Sequence, residues 1–123
     1  MSKFTVIVTD SPYGHQRIYN AMRFVLASRF EEHEVNLFLY EDAVAAAKKG
    51  QDPQELPADK DARMPNVETM IREAMKNGVT VMACGACCKE RGISNDEVIE
   101  GITLATILDL VEWCDESDKV ITF

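Results

Sequence analysis

Residues 79–92 read Val-Thr-Val-Met-Ala-Cys-Gly-Ala-Cys-Cys-Lys-Glu-Arg-Gly. The apolar, β-branched run at 79–83 predicts a buried strand, and the small residues after it predict a loop at its carboxyl end. This loop carries three of the chain's four cysteines, and Lys89 and Arg91 follow the thiols closely. Nearby positive charge stabilises a thiolate, which is the reactive form of cysteine. We therefore expect any chemistry of this protein to take place at this loop.

Strand-like and helix-like patterns alternate on both sides of this stretch. Continuous apolar runs predict strands at 3–9, 34–40, 79–83, 101–105 and 119–123. Helical spacing and capping signals predict helices at 15–30, 41–49, 66–77, 94–100 and 107–117. The alternation predicts one α/β domain over residues 1–123. We expect a three-layer α/β/α sandwich with a mostly parallel sheet of about five strands.

Residues 50–65 interrupt this alternation with three prolines and mixed charge. The composition predicts an exposed loop that is long for a compact domain. Such a loop could act as a lid, form an oligomer contact or simply move.

Composition narrows the class of protein. The chain has 123 residues and a net charge of −8, with a pI near 4.7. The negative field of such an acidic chain would repel a polyanion, so we expect no nucleic-acid partner. No apolar run approaches the ~20 residues of a membrane span, and residues 1–9 do not resemble a signal peptide. We therefore expect a cytoplasmic protein with reduced thiols and no membrane partner.

Ligand sites in parallel sheets lie at the carboxyl ends of the strands. The loops at 9–15 and 84–92 both follow predicted strands, so both should lie at that edge. If these two strands are neighbours, the thiols face four polar residues of the first loop, namely Thr9, Ser11, Tyr13 and His15. His15 could act as a base, hold a substrate anion or be an ordinary exposed histidine.

The segment Cys84-Gly-Ala-Cys87-Cys88-Lys-Glu-Arg91-Gly92-Ile93-Ser94 resembles the DsrE/DsrF-like family, most closely its YchN-like branch. The loop 12–14 (Pro-Tyr-Gly) and the tail 118–123 extend this resemblance over nearly the whole chain. It implies a parallel α/β/α fold, assembly into homo- or hetero-oligomers that are often hexamers, and, in several members, sulfur relay as a cysteine persulfide. In those carriers the active cysteine stands seven residues before the arginine of an Arg-Gly pair, a spacing that Cys84 matches. Cys87 corresponds to the second cysteine of the YchN-like pattern.

Other interpretations of the cysteines remain open. They could be inert residues packed at a strand end, because cysteine is among the most buried residue types. A Cys-x-x-Cys near a βαβ unit also suggests thioredoxin-like redox chemistry, although the surrounding pattern is missing. A tetrahedral metal site could use Cys84, Cys87, Cys88 and His15. A second Cys-x-x-Cys and a histidine pair are absent, so we predict no metal and no cofactor. Cys114 lies on an apolar helical stripe and is predicted to be a core residue.

We predict a sulfur-relay carrier in which Cys84 accepts the sulfur and Cys87 assists. The predicted substrate-binding residues are Ser11, Tyr13, His15, Lys89 and Arg91. The last two could bind an anion or stabilise a thiolate, and Arg91 could instead form a salt bridge or cap a carbonyl. The expected partners are sulfur donor and acceptor proteins and further copies of the chain, as a hexamer or a trimer of dimers. The alternative is a non-catalytic oligomeric module that binds a small ligand or a protein at the same edge.

Overall fold

The computed structural model describes residues 1–53, 55–56, 59–63 and 65–123, with only the backbone described for 55–56 and 59–63. The strands are β1 (Lys3–Val8), β2 (Glu34–Leu39), β3 (Glu55–Leu56), β4 (Asp59–Arg63), β5 (Thr80–Cys84), β6 (Thr103–Ala105) and β7 (Lys119–Thr122). The α-helices are α1 (Arg17–Phe30), α2 (Val67–Lys76), α3 (Gly85–Glu90) and α4 (Ile107–Glu116). Short 3₁₀ helices span Glu41–Ala47 and Asn95–Glu97. No helix in the described ranges combines the length and apolar character needed to cross a bilayer.

Five strands form one parallel sheet in the order β6-β5-β2-β1-β7. The chain steps in one direction from β1 through β2 and β5 to β6, and then returns to place β7 on the other side of β1. Crossovers between parallel strands are right-handed. The connections from β1 to β6 therefore pass over one face of the sheet, and the connection from β6 back to β7 passes over the other face. The prediction of about five parallel strands is confirmed.

Helices cover both faces of this sheet. Phe4 and Thr5 are adjacent in β1, so their side chains point to opposite faces. The Phe4 ring stacks on Phe24 of α1, with 6.1 Å between ring centroids. The hydroxyl groups of Thr5 and Ser117, which follows α4, share a hydrogen bond of 2.6 Å. Because α1 and α4 lie on opposite faces, the predicted three-layer arrangement is confirmed.

The main core lies between the sheet and α1 and α2. Side chains from both layers are fully buried there, and fully burying one such side chain stabilises a fold by roughly 1.5–3 kcal/mol. The set includes Val6, Val8, Leu37, Leu39, Ile18, Met22, Val25 and Ile71.

The opposite face is less completely covered. On the apolar stripe of the last helix only Leu110 is buried, whereas Ile107 is 49% and Val111 is 58% exposed. Cys114 is half-buried. The helix contacts the sheet along a narrow line, where Trp113 packs edge-to-face on Phe38. The apolar stripe is therefore wider than the contact it makes, and part of it faces outward.

Two loop predictions need correction. The segment 84–92 is mostly helical, because α3 begins directly after β5. Within 50–65, β3 and β4 pair antiparallel with Glu55 opposite Arg63. These strands have two and five residues and lack an apolar alternation, which is why their pattern resembled a loop. The proposed roles of this segment also involve residues 54, 57, 58 and 64, which lie outside the described residues.

The strand order places the predicted site loops apart from each other. The loops after β1 and β5 both leave the carboxyl edge of the sheet, as expected. However, β2 lies between these two strands, so the condition that they are neighbours is not met. The segment after β2, which begins the first 3₁₀ helix, lies next to the cysteines instead.

Candidate functional site

Cys84 is the last residue of β5 and the N-cap of α3. Its sulfur accepts a hydrogen bond from the backbone N–H of Cys87 at 3.4 Å. The next residue is glycine for a packing reason, since a Cβ on Gly85 would lie 3.3 Å from the carbonyl oxygen of Ala105 in β6. This close approach lets the chain turn from strand into helix with the two thiols one helical turn apart.

A sharp corner after β2 supplies the next contact. Glu41 has a φ of +51°, in the left-handed region that non-glycine residues seldom adopt. In this conformation its backbone N–H donates to the Cys87 sulfur at 3.3 Å. Strained backbone of this kind is found disproportionately at functional sites.

Arg91 joins the corner to α3. Its Nε and Nη2 both donate to Oδ1 of Asp42, at 3.0 and 2.8 Å. Its Nη1 donates to the backbone carbonyl of Cys87 at 3.1 Å. The salt bridge and the carbonyl cap, which were two separate interpretations of this residue, are therefore both present. The guanidinium group ties the first 3₁₀ helix to the helix that carries the thiols.

These elements form the wall of an open cleft of about 640 Å³ at the carboxyl edge. Its floor contains Cys84, which is 6% exposed, and Cys87, which is 9% exposed, while Cys88 is 1% exposed and does not line the cleft. The remaining lining residues come from the ends of β2, α3 and β6, and they are Tyr40, Glu41, Gly85, Ala86, Glu90, Arg91, Ala105, Thr106 and Ile107. The cleft gives a small reactant a route to the first two thiols.

Burial controls the ionisation of two of the cysteines, Cys87 and Cys88. Burial is the main factor that raises the pKa of the Cys87 thiol, and hydrogen bonding with Cys84 adds to it, while the Glu41 N–H and Arg91 oppose the shift. Burial likewise raises the pKa of Cys88. Both thiols are therefore held in the protonated form at neutral pH.

The residues predicted from the loop after β1 lie elsewhere. The Tyr13 hydroxyl donates to Oε1 of Gln51 at 2.7 Å and accepts from the N–H of Val67 at 3.2 Å. The Ser11 hydroxyl donates to the carbonyl of Tyr13, and exposed His15 lies 4.0 Å from an Asp10 carboxylate oxygen. Among the described residues that line the cysteine cleft, none comes from this loop. Their assignment to a substrate site stays a prediction.

Lys89 is exposed and does not line the cleft, so of the two predicted cations only Arg91 contributes to the wall. Within the described ranges no three His, Cys, Asp or Glu side chains are grouped closely enough to bind a metal ion.

Sequence reasoning missed the residues that follow β2 and β6. Tyr40, Glu41 and Asp42 come directly after β2, and Thr106 and Ile107 come directly after β6. The rule that ligand sites gather at strand carboxyl ends applies equally to these positions. The sequence does not single out these positions, because the cysteines, the proline and the histidine lie in the loops after β1 and β5.

Comparisons with known proteins agree with this architecture. The sequence pattern of the DsrE/DsrF-like family matches residues 2–123. An uncharacterised protein of Methanocaldococcus jannaschii is 46% identical over 98% of this chain and 99% of its own length. The YchN protein of Escherichia coli is 33% identical, with both chains covered completely.

Solved structures give the same result. The crystal structure of Escherichia coli YchN matches with a TM-score of 0.89 over the full length of both chains. A protein of unknown function from Methanobacterium thermoautotrophicum, 15% identical, matches with a TM-score of 0.76 over the full length of both chains and so shares the fold. With a family match across almost every residue and a close structural counterpart in YchN, the chain belongs to the DsrE/DsrF-like family.

Proposed function

We propose that this protein carries sulfane sulfur as a persulfide on Cys84. The observation that carries the proposal is the position of Cys84 at the end of β5, on the floor of an open cleft and hydrogen-bonded to the N–H of Cys87. Membership of a family related to sulfur relay supports the same chemistry. Attack by a thiolate on sulfur requires access as well as the ionised form, and the cleft supplies that access.

The loading step is a thiolate exchange. The Cys84 thiolate attacks the outer sulfur of a donor persulfide, R–S–SH, and a new S–S bond forms as the donor's own S–S bond breaks. The donor leaves as the thiolate R–S⁻, and Cys84 becomes Cys84–S–SH. No external oxidant or reductant is consumed. Unloading reverses these roles, with an acceptor thiolate attacking the outer sulfur on Cys84.

Cys87 is the second thiol of this reaction. It can receive the outer sulfur from Cys84, or it can attack the inner sulfur, form a disulfide and release hydrosulfide. Both steps require Cys87 to lose its proton. Because burial raises the pKa of Cys87, the thiol stays protonated at neutral pH and the sulfur remains on Cys84 until an acceptor arrives.

Asp42 and Arg91 are positioning residues in this proposal. Neither needs to touch the donor. Their ion pair holds the corner after β2 against α3, and that corner aims the Glu41 N–H at the Cys87 sulfur. The fixed corner therefore keeps the second thiol directed at the cleft.

The protein is further proposed to act in the cytoplasm as a homo-oligomer, a hexamer or a trimer of dimers, that exchanges sulfur with donor and acceptor proteins. Outward-facing apolar side chains on and near α4 support association. On α4, Leu108 is 71% exposed and Ile107 and Val111 are also exposed, and Val120 of β7 is 45% exposed. Exposed apolar side chains grouped on one helix commonly mark a protein interface.

Intact-mass analysis after incubation with a persulfide donor tests the proposal. Wild type should gain the mass of one sulfur atom, and Cys84→Ser should gain none. Cys114→Ser is the matched control, because this half-buried cysteine lies on α4 and its loss should leave loading intact. Native mass spectrometry of the same samples reports the number of subunits.

Loading that persists in Cys84→Ser, or that fails in wild type with every donor, would exclude the carrier function. The protein would then be better described as an oligomeric module that binds a ligand or partner at this edge. In that case binding should survive the Cys84→Ser change.

A further inference from the structure

Charged side chains at the Cys84 cleft are unequally matched. Glu41 and Glu90 line the cleft, and Arg91 is the only cationic residue among its described lining residues. The Glu90 side chain is 74% exposed. A reactant approaching Cys84 therefore passes two carboxylates and one guanidinium group.

The guanidinium group already has partners within the chain. Two of its nitrogens donate to Asp42 Oδ1, and the third donates to the carbonyl of Cys87. That third nitrogen also lies 3.7 Å from a Glu90 carboxylate oxygen. Asp42 and Glu90 therefore share this one cation, and Glu41 adds a third carboxylate among the residues at the cleft. The local field at the mouth of the cleft is therefore negative.

Three backbone donors at the cleft already have acceptors within the chain. The Glu41 N–H is directed at the Cys87 sulfur and the Cys87 N–H at the Cys84 sulfur. At the opposite wall the Thr106 N–H donates to Oδ2 of Asp109 at 2.8 Å. An incoming anion would meet carboxylates without gaining any of these hydrogen bonds.

We propose that Glu41 and Glu90 make the cleft select sulfur donors whose groups beside the transferable sulfur are neutral or cationic, and reject anionic donors such as thiosulfate. The inference rests on the proposed persulfide function for its substrate and specifies the class of that substrate. Like charges at the mouth of a cleft lower the local concentration of an anion and slow its approach. Because both carboxylates face water, the selection acts on the rate of encounter and weakens with salt.

A pair of thiol reagents tests the charge selection independently of sulfur transfer. The cationic reagent is 2-(trimethylammonium)ethyl methanethiosulfonate, and the anionic one is 2-sulfonatoethyl methanethiosulfonate. Both place their thioalkyl group on a cysteine thiolate and release methanesulfinate. Their reactions therefore differ chiefly in reagent charge. The readout is the ratio of the two rates at Cys84, located by peptide mass mapping and divided by the same ratio for free cysteine.

The normalised ratio should favour the cation by about tenfold at low salt, since charged clefts change encounter rates by this order or more. It should fall towards one as the Debye length shrinks from about 30 Å at 0.01 M to about 3 Å at 1 M ionic strength. Glu41→Gln and Glu90→Gln should each lower the low-salt ratio by about two- to threefold, as expected for removal of a rim charge. Glutamine at 41 keeps the backbone N–H that contacts Cys87.

Glu31→Gln is the matched control. It removes one exposed carboxylate just after α1, next to the start of β2 and so at the opposite edge of the sheet. Its ratio should equal that of wild type. A wild-type ratio near one, or a ratio that the two cleft variants leave unchanged, would overturn the inference.

Sulfur donors complete the experiment. Cysteamine persulfide, which carries an ammonium group, should load Cys84 faster than thiosulfate, and the Glu41→Gln, Glu90→Gln double variant should narrow that difference. Equal loading by both donors would overturn the inference while leaving the carrier function intact. A clear preference for the cationic reagent with no loading by any donor would confirm the charge selection and exclude the carrier function.

Discussion

Two segments leave the same edge of the sheet, but only one of them lines the cysteine cleft. The segment after β5 becomes α3 and forms a wall of the cleft. The segment after β1 carries equally conspicuous residues, but its tyrosine hydroxyl is bonded to Gln51 and Val67, on either side of the β3–β4 pair. Sharing a sheet edge is therefore not sufficient to share a site.

The order of the strands causes the difference. Neighbouring parallel strands lie about 4.8 Å apart, so strands separated by a third are about 10 Å apart. β2 fills that space between β1 and β5, and the corner at Glu41 therefore contacts Cys87. A side chain on the loop after β1 would have to reach across this corner to touch the thiols.

The largest effect is expected from Arg91→Lys in the segment after β5. Lysine keeps the positive charge but cannot form the three-nitrogen contact with Asp42 and the carbonyl of Cys87. The Cys87 backbone that Arg91 holds also donates its N–H to the Cys84 sulfur, so a displaced α3 should lower the initial rate of sulfur loading on Cys84 by about tenfold. The free energy of unfolding should also fall, since charged hydrogen bonds are lost. Mass spectrometry over time and urea titration measure the two quantities.

Lys89→Met is the matched control, because it removes a charge two residues away that does not line the cleft. Its loading rate should stay at the wild-type value. If Arg91→Lys loads as fast as wild type, Arg91 acts through charge alone, as an anion-binding residue would, and the positioning role is wrong.

A smaller effect is expected for Tyr13→Phe, which should lower stability and leave sulfur loading nearly unchanged. The change removes the hydroxyl that donates to Gln51 and accepts from the Val67 N–H at the start of α2. Leaving such half-buried groups without a partner should cost about 1–2 kcal/mol of unfolding free energy. Loading on Cys84 should stay within about twofold of wild type, because separated sites act independently.

This variant tests directly whether the loop after β1 belongs to the cysteine site. A loss of loading of tenfold or more in a Tyr13→Phe protein that remains folded would place the loop after β1 in the site, as the sequence suggested. A stabilising osmolyte should restore the stability of Tyr13→Phe. If loading does not return with stability, the conclusion is the same.

The sequence predicted most of the fold because long periodic segments depend on local residues. The strands at 3–9 and 34–40 and the helix at 15–30 appear within two residues of their predicted bounds. The six-residue helix α3 was missed because so short a segment shows no clear period. Strand order was not predictable either, since the patterns of β1, β2 and β5 specify burial and not neighbours.

The candidate site was predictable only in part for the same reason. Cys84 and Cys87 were named from a family resemblance carried by one short segment, and both line the cleft, while their roles stay a prediction. The partner of Arg91 is Asp42, which lies 49 positions away in the chain, and no local pattern connects the two. The left-handed conformation of Glu41 was equally unpredictable, because a glycine or an asparagine indicates a positive φ and a glutamate does not.

The smallest effect concerns the pH dependence of stability and depends on Cys87. Burial raises the pKa of Cys87 in the folded protein. The unfolded chain therefore loses this proton first as pH rises above about 8.5, the usual thiol value. Stability contributed by the protonated thiol is fully present below that pH and is lost as pH rises through the higher folded-state pKa. The free energy of unfolding should thus fall as pH rises above about 8.5.

Cys87→Ala should show a shallower fall over the same range in urea titrations. Only the slopes are compared, since the cavity left by alanine lowers stability at every pH. Cys88 remains in both proteins, so the part of its contribution that comes from burial, the main cause of its raised pKa, cancels. Identical slopes would mean that Cys87 ionises as readily in the folded chain as in the unfolded one. A thiol of that kind would form the thiolate more often at neutral pH and would resolve the Cys84 persulfide faster, so the cleft would hold sulfur for a shorter time.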